Sequence, residues 1–260
     1  MLAALAHEVE ESGWDGFFIW DHINLTLPLP MADPWVALTA IALSTQHIRL
    51  GPMVTPIPRR RPWKLARETL SLDQLSEGRL TLGVGLGYLA EEEFANFGDE
   101  PDAKLRAGKL DEGLAILAGL WSNQPFSFAG EHFQIKNVHM QPAPVQHPRI
   151  PIWVAGVWPN KAPLRRAARW DGIFPIGNAT LNPLPPAEIK TIVAYVWEHR
   201  ESAAPFDVIY GHWTSGEDRA KDAALVAPYA EAGVTWWLES PEGHTLAEVR
   251  QRIHKGPPRV

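Results

Sequence analysis

Apolar residues recur along this chain in two alternating rhythms. Residues 2–12 place Leu2, Leu5, Ala6 and Val9 on one face at helical spacing, and Gly13 ends the run. Gly16-Phe17-Phe18-Ile19-Trp20 follows as a short, wholly apolar segment, the pattern of a parallel strand covered on both faces. Asp33-Pro34-Trp35 supplies an N-cap and a proline at the first helical position, which opens a helix to Ser44. The rhythm repeats with a strand over 48–54, a helix over 62–75 and a strand over 79–85. An excursion then interrupts it. Residues 104–121 read as a helix with Leu110, Leu114, Leu117 and Leu120 inward, and residues 126–135 as a hairpin turning at Ala129-Gly130-Glu131-His132. A proline-rich stretch over 141–151 leads back. Strands over 150–155, 172–176, 206–212 and 234–238 then alternate with helices over 160–170, 186–200, 217–232 and 245–254. Residues 255–260 read as a frayed tail.

Strand–helix units of roughly 30 residues predict a parallel sheet with crossover helices. Seven strands are expected, centred on Phe17, Leu50, Leu82, Trp153, Phe174, Val208 and Trp236, with none ahead of the first helix. No linker or low-complexity tract divides the chain. The expected organisation is therefore one α/β domain over 1–260. It is a TIM-barrel-like (β/α)8 fold with its first strand missing and an insertion, 104–150, after the Gly85 strand.

Composition removes several chemistries. The 260 residues include no cysteine, which excludes disulfide scaffolds, cysteine-ligated zinc, iron–sulfur clusters and thiol nucleophiles. Lys plus Arg is 24 and Asp plus Glu is 30, a net charge of −6 that offers no footprint for nucleic acid or an anionic membrane. The first residues show no basic n-region or cleavage site, and no apolar run reaches the length of a membrane span. The expectation is a soluble cytoplasmic protein without a targeting segment. The 12 tryptophans are the oddity.

In a parallel α/β barrel the chemistry sits at the C-terminal ends of the strands. Those positions hold Trp20-Asp21-His22, Val54-Thr55, Gly85-Leu86-Gly87-Tyr88, Ala155-Gly156-Val157-Trp158, Ile176-Gly177-Asn178, His212-Trp213-Thr214 and Glu239-Ser240. Asp21 and His22 are the proton-transfer candidates, because His titrates near neutrality and a neighbouring carboxylate can hold its tautomer. The competing reading is that Asp21 caps the next loop and His22 bonds a backbone carbonyl. Gly83-Val84-Gly85-Leu86-Gly87 lacks the spacing of a dinucleotide fingerprint, and its glycines admit either a flat ligand or a neighbouring strand. Ala155-Gly156-Val157-Trp158, running into a helix, is a better anion site or else a tight turn. Arg59-Arg60-Arg61 reads as solvated loop charge that could grip an anion. Glu91-Glu92-Glu93 reads as a solvated first helical turn, with no metal-ligand spacing nearby.

Several of these segments together resemble the bacterial-luciferase-like, flavin-dependent oxidoreductases. The resemblance is carried by Gly13-Trp14-Asp15-Gly16-Phe17-Phe18-Ile19-Trp20-Asp21-His22, by Ile48-Arg49-Leu50-Gly51-Pro52-Met53-Val54-Thr55-Pro56, and by the stretch from Leu72 through Gly87. Glu93-Phe94-Ala95-Asn96-Phe97-Gly98, Leu110-Asp111-Glu112-Gly113-Leu114 and Ala167-Ala168-Arg169-Trp170-Asp171-Gly172 follow in the same order. It runs from residue 3 to residue 176. Beyond Gly177 only the strand–helix rhythm continues.

The resemblance implies a (β/α)8 barrel binding FMN, or alternatively coenzyme F420, at the strand ends. Asp21 and His22 match the residues lining the reaction face. Val54-Thr55 falls where a bulge or non-proline cis peptide backs the flavin ring. Ala155-Gly156-Val157 matches a phosphate loop, and Ile176-Gly177 a further phosphate-side loop. Trp20, Gly85, Tyr88 and Trp158 complete the expected cofactor surface; Trp153, Trp213 and Trp236 could join Trp20 in its apolar enclosure, with core and barrel filling the alternative role expected of at least half of these four. Tyr88 stands where F420-dependent sugar-phosphate dehydrogenases carry Glu, and Ile23-Asn24-Leu25-Thr26 where they place a Trp. Three functions follow: an FMN monooxygenase using O2 on a small-molecule substrate, an F420-dependent hydride-transfer enzyme, or a non-catalytic flavin-binding barrel. A flavin reductase or NAD(P)H would supply reductant, and a homodimer is expected.

Overall fold

The computed structural model describes residues 1–26, 30–177, 183–240 and 243–258; Asn178 and the last two residues of the tail lie outside them. The chain folds as two compact units, one of residues 17–151 and the other of residues 3–16 with 152–260. In chain order, the second unit opens with α1 (Leu2–Glu11). The first unit then holds β1 (Gly16–Ile19), α2 (Pro34–Ser44), β2 (Arg49–Pro52), β3 (Thr55–Pro56), α3 (Pro62–Leu75), β4 (Leu82–Gly85), α4 (Ala90–Glu93) and α5 (Ala103–Trp121). The hairpin β5 (Phe126–Ala129) and β6 (Gln134–Val138) ends it. The second unit resumes with β7 (Ile152–Val157), α6 (Lys161–Ala167), β8 (Gly172–Ile176) and α7 (Pro186–His199). It finishes with β9 (Asp207–Tyr210), α8 (Arg219–Glu231), β10 (Trp236–Trp237) and α9 (Leu246–His254).

Each expected strand is present. The strand expected over 48–54 is divided at a cis Met53–Val54 peptide into β2 and β3. The strand expected from residue 79 begins at Leu82, with Leu80 joined to Leu50 by a single bridge. The last strand shrinks to two residues.

In the first unit β3 and β4 run parallel, with Thr55 opposite Val84. Glycine sets how closely these backbones approach. A Cβ on Gly51 would lie 1.8 Å from the Thr81 carbonyl oxygen, and one on Gly83 would lie 2.3 Å from that of Pro52. Two of the glycines around the Gly-rich run therefore serve strand contact rather than a ligand. Leu38, Ile41, Leu50, Ile57, Leu65, Leu70, Leu82 and Val84 are fully buried around them. Asp33 caps α2 as its sequence foretold, accepting from the Trp35 and Val36 amides at 3.0 Å. Arg79 closes the other end of that helix, donating to the carbonyls of Ala42 and Thr45 at 2.8 and 3.0 Å. These are carbonyls that the helix itself leaves unpaired. Glu112 of α5 accepts from the amides of Glu131, His132 and Phe133, which ties the hairpin turn to that helix.

In the second unit four strands lie parallel in the order β10-β9-β8-β7. Trp153 is buried in this unit's core, 5.3 Å from the Trp236 ring, with its indole N–H on Asp207 at 3.1 Å. These two tryptophans pack on each other, the core-filling role that was the alternative for them. α1 docks on α9: the Trp14 indole donates to the Ile253 carbonyl at 2.9 Å, and the Arg252 guanidinium lies over the Trp14 ring.

Replacing Gly51 by Ala should cost about 3 kcal/mol, because two backbones must separate to admit one methyl group. Gly98→Ala, at φ 76° with open space around it, should cost about 1 kcal/mol. Urea denaturation of both variants beside wild type measures the difference; equal midpoints would refute the packing account.

Candidate functional site

β1 delivers Trp20, Asp21 and His22 to its C-terminal end, and the chain after β3 brings up Arg59 and Arg60. Asp21 is buried and accepts from four groups. Thr55 Oγ1 donates to its Oδ2 at 2.8 Å, and Arg59 Nη2 donates to its Oδ1 at 2.9 Å. Arg60 forms a fork, with Nε on Oδ2 at 3.1 Å and Nη2 on Oδ1 at 2.7 Å. Arg59 also donates to the backbone carbonyl of Asp21 at 2.9 Å and pairs through Nη1 with Glu93 Oε2. Two carboxylates and two guanidiniums thus balance in the interior. An arginine fork suits this, because its planar donors match carboxylate oxygens two at a time.

Glu93 completes the site. The sequence reading placed it in a solvated turn, but it is fully buried at the end of α4. Its Oε1 accepts from His22 Nδ1 and the Ile23 amide at 3.0 Å each, and from the Asn24 amide at 3.3 Å. Burial pushes the Glu93 carboxyl up, but the His22 hydrogen bond, the Arg59 charge and the Ile23 amide outweigh it. The net shift is below the ordinary glutamate value of 4.5. An ionised carboxylate only accepts, so Nδ1 of His22 carries the hydrogen, and in the neutral imidazole the lone pair is then on Nε2. No hydrogen bond engages Nε2 among the described residues.

Asp21 therefore does not hold the tautomer of His22, as adjacency in sequence suggested; Glu93, 71 positions away, does so. Asp21 answers the arginines, and His22 answers a carboxylate rather than a backbone carbonyl. The arginine run is likewise corrected. Arg59 and Arg60 are committed to Asp21 and Glu93, while Arg61 lies beside the Trp63 ring.

A cleft of about 340 Å³ opens beside the cluster, lined by His22, Ile23, Met31, Asp33, Arg59 and Arg60 among others. Trp20 stands edge-on to His22 with ring centres 5.7 Å apart. Trp20 and Tyr88 are 45% and 65% exposed, and Ile23 is exposed as well. Large apolar side chains left open at strand ends fit a flat ring as their cover, so the residues present suit a flavin or deazaflavin. Thr55 is buried and spent on Asp21, Val54 follows the cis peptide, and Gly85 is buried opposite Pro56. The first unit thus joins Asp21, His22 and Thr55 in one network; Val54, Gly85 and Tyr88 stand outside it.

The remaining expected residues lie in the second unit. Ala155, Gly156 and Val157 pair with Phe174, Pro175 and Ile176. A Cβ on Gly156 would lie 2.6 Å from that of Pro163, so this glycine lets α6 pack against β7. Trp158 donates its amide to the Ile176 carbonyl at 2.8 Å. Val157 and Ile176 present exposed side chains at the strand ends, and Gly177 follows directly. The sequence reading missed Lys161, the first residue of α6. Its ammonium sits 3.9 Å from the Trp158 ring centre and 4.5 Å from that of Tyr195, a fixed positive charge at this loop.

A sequence profile of the luciferase-like monooxygenases matches residues 1–256, so the likeness extends well beyond Gly177. The chain is 31% identical over 164 residues to an F420-dependent glucose-6-phosphate dehydrogenase of Gordonia bronchialis, covering 61% of this chain and 47% of that protein. Among solved structures, the coenzyme F420-dependent tetrahydromethanopterin reductase of Methanopyrus kandleri superposes with a TM-score of 0.77 at 18% identity, covering 98% of this chain and 92% of that one. The oxygenating constituent of 3,6-diketocamphane monooxygenase from Pseudomonas putida, solved with FMN, gives 0.67 at 19% identity, covering 96% and 77%. These likenesses show the fold, an α/β architecture of the TIM-barrel class. The chain spans from 37% to 66% of the length of curated relatives that it matches.

Arg59→Met should destabilise the protein by about 4 kcal/mol, since it takes from the buried Glu93 its guanidinium partner and from Asp21 one of two. Because the native pKa of Glu93 is depressed, its stabilisation is complete above 4.5 and is lost as pH falls through the lower native value. Unfolding free energy measured by urea titration should therefore fall more steeply with acidification in wild type than in Glu93→Gln. Parallel curves would show that Glu93 is not linked to folding.

Proposed function

The chain belongs to the luciferase-like monooxygenase family, and we propose that it is a flavin-dependent oxidoreductase that oxidises a small organic substrate with reduced FMN and O2. The observation that carries this reading is the pairing of His22 Nδ1 with buried, charge-balanced Glu93 beside an open cleft. Reduced FMN, when bound, supplies the electrons and the reaction with O2. The chain's own residues bind, shield and move a proton. Trp20, Ile23 and Tyr88 offer the apolar surface that keeps water from the ring. Nε2 of His22 is the free position, able to take up a proton while Glu93 stabilises the imidazolium that results. In the second unit, taken by itself, Lys161 and the strand ends at Val157 and Ile176 are candidates for holding an anion. A flavin reductase or NAD(P)H is the source of reductant.

A second reading, hydride transfer with F420, is favoured by the sequence likeness to an F420-dependent dehydrogenase. Tyr88, where the F420-dependent sugar-phosphate dehydrogenases carry Glu, argues against sugar-phosphate chemistry and does not separate FMN from F420. Among the described residues no helix is long and apolar enough to cross a membrane. For its partner we propose a second copy of the chain, docked on α2. That helix carries no charge from Pro34 to Ser44, and its outer face leaves Val36 and Leu43 72% and 64% exposed.

Titrating the protein separately with FMN and with F420, followed by fluorescence, decides the cofactor. Binding of F420 alone would overturn the FMN assignment. His22→Ala should lower turnover about 100-fold with flavin affinity nearly intact, and flavin binding without any turnover in wild type would favour a vestigial barrel. Val36→Glu with Leu43→Glu should convert a dimer to a monomer in analytical ultracentrifugation, and a monomeric wild type would refute the docking.

A further inference from the structure

We propose that His212, Trp213 and His244 form a substrate-recognition rim for planar carbonyl compounds, an inference that rests on the oxidoreductase reading and extends it to the substrate. All three follow strands of one sheet in the second unit. The chain leaving β9 is pressed against the chain leaving β10: a Cβ on Gly211 would lie 1.9 Å from the Leu238 carbonyl oxygen, and the Leu238 amide donates to the Tyr210 carbonyl at 3.1 Å. The segments that carry His212 and Glu239 therefore leave the sheet side by side at its C-terminal edge, where Val157 and Ile176 also end their strands.

The base of the rim is held by a buried ionic clamp. Thr214 donates its amide to Glu239 Oε2 at 2.8 Å and its hydroxyl to Oε1 at 2.6 Å. Arg252 returns two bonds, Nε to the Thr214 carbonyl at 2.8 Å and Nη2 to the Thr214 hydroxyl at 2.7 Å. The same guanidinium pairs with Glu239 at 3.1 Å, and the Trp237 indole donates to Glu239 at 3.2 Å. A buried ion pair is a poor source of net stability compared with apolar packing, so its effect here is to fix a backbone position. That backbone carries Trp213 and His212 outward.

What the clamp presents has a definite chemistry. The Trp213 ring stacks on the His244 ring, 4.0 Å between centres and 20° between planes, which makes a flat aromatic wall. His212 is exposed, and its Nδ1 accepts the Trp213 amide at 2.8 Å. The neutral imidazole then carries its hydrogen on Nε2 and can donate to an oxygen. The Glu239 carboxylate is spent inside the clamp. A flat face beside one N–H donor, without a free carboxylate, suits a planar neutral molecule with a carbonyl oxygen, such as an aryl ketone.

Equilibrium dialysis of the full chain with acetophenone and with ethylbenzene, which lacks the oxygen, tests this. Wild type should bind acetophenone about fivefold more tightly than ethylbenzene, and His212→Ala should erase that preference. Trp213→Ala should weaken both about tenfold, while Trp213→Phe retains binding and shows that the fold is intact. Absence of acetophenone binding to wild type, or unchanged affinity in both alanine variants, would overturn the rim. FMN titration of the same proteins separates the readings: FMN binding without acetophenone binding sinks only the rim, whereas failure of FMN to bind sinks the flavin assignment.

Discussion

Two carboxylates in the interior of the first unit meet on one side chain, the guanidinium of Arg59. Asp21 and Glu93 are each buried, and a carboxylate taken out of water is costly unless it is paired. Arg59 bridges them, Arg60 adds a fork to Asp21, and the resulting four-charge cluster is neutral as a whole. The position of His22 depends on this balance. If Glu93 were protonated it could donate to Nδ1, and the imidazole would present the opposite tautomer. The arginines therefore govern the proton on a residue that neither of them contacts.

The same cluster explains why the chain is built as it is around β1 and β3. Thr55 spends its hydroxyl on Asp21, and the helical turn Ile57–Arg59 that follows brings Arg59 within reach of both carboxylates. α4 is only one turn long, yet it places Glu93 inward while Glu91 and Glu92 remain on its outer side. Phe94, directly after Glu93, fills the space that Gly87 leaves by having no side chain. Arg106 lies over the Phe94 ring and donates to the Leu86 and Gly87 carbonyls at 3.2 Å. The Gly-rich run and the carboxylate that orients His22 are thus packed as one piece.

Strands and helices could be read from the chain because their signals are local. Asp33 before Pro34, the four inward leucines of α5 and the unbroken apolar run before Trp20 each state their element within a few residues. Half of the site could be read in the same way, since His22 follows a strand end. The other half could not. Three successive glutamates look alike in sequence, and only the one-turn geometry of α4 singles out Glu93. The signal that could have found it is the apolar neighbour Phe94, which marks the inward edge of that acidic turn. Arg59 and Arg60 were hidden for a similar reason: a basic run between prolines is usually solvated, and nothing local reports two carboxylates waiting behind it.

The second unit repeats the principle with different residues. Glu239 and Arg252 are brought together by the strand–helix alternation and close on Thr214, as Arg59 closes on Asp21. In the first unit the buried Asp21 lies between Trp20 and His22, and in the second the clamped Thr214 directly follows Trp213. Burying such pairs adds little net stability, yet removing one partner is costly, so the arrangement resists loosening at that point. Apolar packing could hold the strands equally well, but it would not fix a backbone position by directional bonds. Rigidity is therefore concentrated beneath the residues that face outward, which is where a bound molecule would need it.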